Sequence, residues 1–468
     1  MTSHRVAGAP LDFSGIRQEL AVPGDFAAPV LAEAQAASRH ADLPVVDATD
    51  IPFVTVDPSG SKDLDQALHL ARSADGYRVC YAIADVAAFV APGAAIDTEA
   101  QARGETMYFP DERVPLYPPV LSEGAASLLP GQVRPAVLWL ISLDGDGNPG
   151  EVRVRRARVR STAQLDYAGL QRQIDAGCPP EPVALLAEVG ELRLGLARQR
   201  HAIDLNIPEQ EVVPDGDGRW TIELRRPLPV EQWNAEISLL TGICAARIML
   251  DAGVGILRTV PAPEEHALAR IRRAARAAGI AWPAAAEPGD VLAGLDRGKG
   301  STKALLEHAA SLLRGAGYTS FEEGRPPVGT THAGIGAPYA HVTAPLRRLV
   351  DRYGSEICLA ACAGQQVPSW VRERLAGLPE TMAAADHRAH EADRAVVGAT
   401  EAWLLHDRVG QRFGALVLDA EEHAGTVLVD DPPIRARCDG ADLPVGRRIG
   451  VRLESADVPR REVRFARE

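Results

Sequence analysis

The sequence predicts an α/β protein in three parts: a short helical N-terminal segment over residues 1–40, a large mixed α/β body over 41–408, and a small OB-type β-barrel over 409–468. Three patterns predict this. Apolar, β-branched runs of strand length begin near residue 43. Long stretches with apolar residues at helical spacing occupy the second half. After Val409-Gly410 the chain breaks into five short strand-like runs within about sixty residues, a density that suits a small barrel.

In the first forty residues, Ser14–Leu20 and Phe26–Ser38 read as helices separated by Pro23-Gly24. Ile51–Val56 reads as a buried strand ending in a Pro-Ser-Gly-Ser turn, and Tyr77–Val86 and Ala136–Leu143 as further buried strands. The block from Arg153 to Arg160 alternates with Val152, Val154 and Val159, so part of it reads as a strand with one polar side. Glu231–Leu250 carries Ile237, Leu240, Cys244 and Ile248 at helical spacing. Residues 344–362 form a second long helical pattern with Thr343 as N-cap and Pro345 in its first turn. Glu380–His406 is a third. The terminal strands are expected at Gly414–Asp419, Gly425–Val429, Ile434–Cys438, Arg447–Leu453 and Glu462–Phe465.

At 46% hydrophobic residues the chain has enough apolar material for full cores. It has no apolar run long enough to span a bilayer and no signal-peptide pattern, which leads to a cytoplasmic expectation. Its six cysteines include no Cys-x-x-Cys pair and fit reduced thiols. The net charge of −13 excludes a protein that coats nucleic acid through a broadly basic surface, although arginines lining a channel remain compatible with it. Gly298-Lys299-Gly300-Ser301-Thr302 fails the Walker spacing, so no nucleotide cofactor is expected.

The most informative segment runs from Phe53 to Gln66. A buried strand delivers Asp57 at its end, and a tight loop returns with Asp63 and Asp65 two residues apart, hence on one side of an extended segment. Three converging carboxylates repel unless a cation sits among them. Oxygen donors of this kind suit Mg²⁺ or Mn²⁺, and such ions activate water against a phosphodiester. The same residue types also build ordinary surface turns, so spacing alone leaves both readings open.

Six motifs in order give the chain a resemblance to the RNB family, the ribonuclease II and ribonuclease R type of 3′→5′ exoribonuclease. They are Phe53–Asp57 through Asp63–Leu68; Tyr81–Val86; Thr106–Pro110 with Leu121–Glu123 and Ser127–Leu129; Ala202–Leu205 with Pro208-Glu209; Glu236 with Ile243–Ala246; and Tyr339–Arg348. The resemblance implies that Asp57, Asp63 and Asp65 hold magnesium, with Asp65 the most critical. It implies that Tyr108 stacks on the terminal base and that Tyr167 lies near the scissile nucleotide. Glu236 would lie near the 3′-terminal nucleotides, Arg347 would grip the scissile phosphate, and Arg348 beside it would contact RNA. The implied partner is single-stranded RNA, bound by a monomer and released as nucleoside 5′-monophosphates. The C-terminal barrel is similar to the S1 type, and the N-terminal segment stands where the family carries cold-shock barrels.

The sequence departs from the family pattern in places. Gln66 stands where a fourth aspartate is usual, Leu205 where ribonuclease II has a stacking phenylalanine, and Ala344 where a serine precedes Pro345. The barrel holds only Phe413 and Phe465 as aromatics, with Arg447, Arg448 and Arg452 as its candidate RNA contacts. His332 and His341 read as structural. Two alternatives follow: a catalytically silent RNA-binding protein of the same fold, and a metal phosphodiesterase that cuts internally or acts on DNA.

Overall fold

The computed structural model describes residues 11–40, 42–216 and 218–468. Two short helices come first, α1 (Ser14–Glu19) and α2 (Ala28–Ala37). Arg103 anchors the segment between them: its guanidinium lies 3.8 Å from the Phe26 ring centroid and donates to the Gly24 carbonyl.

The body is organised on a closed five-stranded barrel in the order β1-β2-β3-β6-β7, formed by β1 (Phe53–Asp57), β2 (Gln66–Ser73), β3 (Gly76–Ala84), β6 (Val133–Asp144) and β7 (Pro149–Asp166). The helix α3 (Ala95–Arg103) and a small hairpin, β4 (Met107–Tyr108) with β5 (Arg113–Val114), lie between β3 and β6. β1 is buried along four of its five residues because its Val, Phe and Thr side chains point into packed layers on both faces. Its parallel pairing with β7 closes the barrel and sets Asp57 opposite Asp166. The arginine-rich block does lie on a strand, β7. Arg156 there pairs with Asp85 and Glu356, and Arg158 with Asp47, so carboxylates neutralise both.

Helices α4 (Tyr167–Asp175), α5 (Leu186–Gln199) and α6 (Pro229–Ala252) follow, with the hairpin β8 (Glu209–Pro214) and β9 (Trp220–Arg225) before α6. α6 buries Ile237, Leu240 and Cys244, the spacing the sequence shows. Its Gly242 is required by close approach, since a Cβ there would meet the Tyr339 ring at 2.1 Å and the Ala340 carbonyl at 2.6 Å. The strands β10 (Gly255–Thr259) and β11 (Gly317–Phe321) bracket a helical lobe of α7 (Glu265–Ala277), α8 (Pro288–Ala293) and α9 (Gly300–Ala309). That lobe has its own core around Ile203, Ile271, Leu305 and Leu312, against which Leu205 packs. Gly300–Thr302 form the first turn of α9.

A short ladder, β12 (Thr331–His332) with β13 (Ala337–Pro338), leads to α10 (Leu349–Cys362). The sequence expectation of a helix from 344 capped by Thr343 is corrected here. α10 begins at Leu349 with Arg348 as N-cap, and 344–348 form a turn instead. Two carboxylates hold that turn, one from the first turn of α10 and one far away in sequence: Asp351 takes the Ala344 N–H and Asp65 takes the Leu346 N–H, each at 2.7 Å. After α11 (Ser369–Leu375), the long α12 (Leu378–Leu405) runs into a second closed barrel, β14-β15-β16-β18-β17. Its strands are β14 (Arg412–Ala420), β15 (Ala424–Val429), β16 (Arg435–Asp439), β17 (Arg448–Asp457) and β18 (Glu462–Arg467), five as expected. Phe413 and Phe465 are packed edge to face in its core at 5.6 Å, out of reach of any base. Arg448 pairs with Asp430, and Arg452 with Glu468. All six cysteines are free, and among the described residues no helix is long and apolar enough to cross a membrane.

Candidate active site

The loop between β1 and β2 is fixed by its backbone. Gly60 takes φ +83°, a left-handed turn position that only glycine adopts without strain. Leu64 is fully buried; its N–H bonds Ser127 Oγ at 2.9 Å and its carbonyl accepts from Leu128 at 3.0 Å. With Leu64 pointing inward, Asp63 and Asp65 emerge on the other side, as period-two spacing requires. The β1–β7 register then brings Tyr167, the first residue of α4, beside Asp57, while Asp166 caps that helix through the Gly169 N–H.

Electrostatic coupling shows which groups share this cleft. Asp57 is pushed up to about 7, first by burial and then by the charge of Asp63, against the pull of Arg347. Burial also holds Asp65 well above the carboxylate range, opposed by Arg347 and the Leu346 N–H. Arg347 Nε stands 3.7 Å from Asp65 Oδ2, on a side chain 44% exposed. Tyr108 is 52% exposed, with its hydroxyl 3.3 Å from Asp63 Oδ2. Asp57, Asp63, Asp65, Arg347, Tyr108 and Tyr167 therefore come together.

Two expected members do not join them. Arg348 is mostly covered, its side chain 16% exposed, and it is doubly bonded to Asp351 at 2.8 and 2.9 Å, so its charge is already paired within the protein. Glu236 is 4% exposed and looks to Arg193, Arg200 and Asp204, none of them in the carboxylate cleft. Helix geometry explains this. Asn234 and Ser238, one turn apart on α6, face the cleft, the first bonded to Tyr167 and the second to Tyr81. Glu236, two residues from each, lies about 200° around the helix.

The sequence reading also missed residues. Arg113 sits across the β4–β5 hairpin from Tyr108 and bridges Asp63, at 2.5 Å, to Glu123. The Phe-Pro-Asp-Glu turn after Tyr108 was the available signal for that pairing. The hairpin is braced from α1: Arg17 bonds Asp111 at 2.7 Å, approaches Glu112 at 3.3 Å and lies over Phe109. Gln66 is committed within the protein, donating to the Thr343 carbonyl and accepting from the Tyr81 hydroxyl. His332 and His341 are both depressed by burial, and His341 bonds the Tyr318 hydroxyl at 2.7 Å, a structural role.

The donors suit a hard divalent cation at two of three positions. Asp57 Oδ2 is buried without a partner, and Asp65 presents an oxygen toward Arg347 alone. Asp63 is drawn to Arg113 instead, and among the described residues no three His, Cys, Asp or Glu side chains converge as a ready metal cage. Full convergence of the three aspartates, expected from the loop spacing, is not seen: Asp63 pairs through Oδ1 with Arg113 and lies with Oδ2 beside the Tyr108 hydroxyl.

Comparison with known proteins agrees with this architecture. Residues 45–360 match the RNB domain, and 411–468 match the RNase II-type exonuclease C-terminal S1 domain. Ribonuclease R of Escherichia coli K12 is 25% identical over 468 residues, covering 90% of this chain and 57% of that protein. The chain thus spans little more than half the length of that relative. Mycoplasma genitalium RNase R, solved with ribose-methylated single-stranded RNA, superposes with TM-score 0.87 at 19% identity, covering 97% of this chain and 77% of that one. Yeast Ssd1, described as a pseudonuclease, superposes with TM-score 0.71 at 17% identity, covering 88% of this chain and 53% of that one. With its RNB match extending over more than half its length, the chain belongs to the RNB family.

Proposed function

We propose that the chain is a 3′→5′ exoribonuclease that uses Mg²⁺ or Mn²⁺ to hydrolyse single-stranded RNA to nucleoside 5′-monophosphates, acting as a cytoplasmic monomer. The observation that carries this reading is the pair Asp57 and Asp65, the first with a buried oxygen that has no partner and the second buried with an oxygen that faces the half-exposed Arg347. Asp57 and Asp65 would hold the cation, joined by Asp63. When bound, it would supply a water of lowered pKa and neutralise charge on the phosphate.

The chain's own residues do the positioning. Arg347, set by the turn that Asp65 and Asp351 fix, reaches the cleft with donors free for a phosphoryl oxygen. Tyr108 offers an exposed ring on which any base stacks, which suits an enzyme indifferent to sequence. Tyr167, oriented by Asn234, would stand near the scissile nucleotide, where a contact to the ribose 2′-hydroxyl would distinguish RNA from DNA. The test is a 5′-labelled oligoribonucleotide incubated with Mg²⁺. Shortening one nucleotide at a time supports the reading; a ladder of internal fragments, or equal cutting of oligodeoxyribonucleotide, sinks it.

A second reading, a silent RNA-binding protein, is favoured by one observation. Gln66 is tied to Thr343 and Tyr81 and brings no negative charge to the carboxylate cleft. RNA binding without shortening at any enzyme level would select it.

A further inference from the structure

A second cavity lies between the helical lobe and the C-terminal barrel, with a volume of about 250 Å³. One wall comes from α9 (Lys303, Leu306), another from the barrel (Leu418, Arg435), and the rim from Arg226 and Arg297. Its charge is one-sided. Glu307 is the one carboxylate of its lining and is committed to Arg435 at 2.7 Å. Arg297 donates to the Leu205 and Asn206 carbonyls, so its positive charge meets no anion. Arg226 and Lys303 have no carboxylate partner among the described residues, and Arg435 Nε is buried without any partner. Cations held near apolar surface without counterions attract an anion more strongly than the same groups in water. A phosphate alone would leave Leu306 and Leu418 uncovered, whereas a phosphate carrying a flat ring would meet both kinds of wall.

We propose that this cavity binds a nucleoside monophosphate, its phosphate among Arg226, Arg297, Lys303 and Arg435 and its base against Leu306 and Leu418. The site is separate from the carboxylate cleft, because none of Asp57, Asp63, Asp65 or Arg347 lines it. It goes beyond the proposed exonuclease activity: a mononucleotide held between the lobe and the barrel would report product level to a joint between two parts of the chain.

The test is calorimetric titration of the full chain with adenosine 5′-monophosphate in chelator, where no RNA is turned over. One site is expected, with adenosine and inorganic phosphate each binding at least about tenfold more weakly. Arg226→Glu and Lys303→Met should each weaken binding about tenfold with an unchanged melting temperature. Tyr108→Ala should leave it unaltered. Absence of binding, equal binding of adenosine or of phosphate, or loss in Tyr108→Ala without loss in Arg226→Glu would each overturn the assignment. So would competition by oligoribonucleotide but not by mononucleotide. Since the titration needs no catalysis, its failure is distinguishable from failure of the exonuclease reading.

Discussion

Replacing Asp57 by asparagine should stabilise the metal-free protein at neutral and alkaline pH. Burial and the nearby charge of Asp63 push Asp57 up to about 7 from an ordinary 3.8. The folded state therefore binds a proton more tightly than the unfolded chain, and stability falls as pH rises from about 4 through about 7. At about 1.36 kcal/mol per pH unit the ceiling is about 4 kcal/mol. Solvent reaching this partly exposed carboxylate brings the expected effect to the order of 2 kcal/mol. Urea unfolding in chelator, at pH 5 and pH 8, measures it. Wild type should lose about 2 kcal/mol between the two relative to Asp57→Asn. Saturating Mg²⁺ should restore wild type at pH 8, by about 2.7 kcal/mol at a hundredfold excess over its dissociation constant, and do less for the variant. Parallel pH curves for the two proteins, with no response to Mg²⁺, would refute the reasoning.

Four further outcomes are expected. Asp65→Asn should abolish shortening of a labelled oligoribonucleotide while anisotropy still records RNA binding; unchanged turnover would remove Asp65 from the chemistry. Arg347→Ala and Arg348→Ala should separate cleanly: the first lowers kcat at unchanged melting temperature, and the second costs about 3–5 kcal/mol by stranding buried Asp351. Gln66→Asp should destabilise the fold by about 1–3 kcal/mol in urea unfolding, because it removes the donor to the part-buried Thr343 carbonyl. A variant as stable as wild type would show that this bond matters little. Arg17→Ala should raise KM more than it lowers kcat and speed hydrogen exchange in residues 107–114, since its contacts to Asp111 and Glu112 brace the Tyr108 hairpin. Unaltered exchange there would show that α1 does not support it.

What the sequence disclosed and what it withheld follow from the range of the interactions involved. β1, α6 and the five terminal strands are legible because period-two and 3.6-residue patterns are local, and observed boundaries differ from expected ones by a few residues. Closure of the first barrel is not legible: β1 pairs in parallel with β7, about a hundred residues on, and nothing in either strand names its partner. The misread start of α10 has the same origin. Thr343 and Pro345 are sound helix-start residues, yet Asp65, far away in sequence, captures the Leu346 N–H and holds the chain in a turn. That turn leaves Arg347 exposed and ties Arg348 to Asp351. Asp57, Asp63 and Asp65 were found because a strand end and a two-residue step fix their side locally. That Glu236 lies off the carboxylate cleft was not legible, because an amphipathic helix does not announce which polar face meets the cleft.

The central claim is that carboxylates around Asp57 and Asp65 hold divalent cations. Titrating Mn²⁺ into the chelator-stripped full chain and counting bound ions by electron paramagnetic resonance tests it directly. The account predicts at least one bound ion per chain, displaced by Mg²⁺ and lost in Asp57→Asn and Asp65→Asn. A chain that binds no manganese, or binds it equally well in both variants, would contradict it.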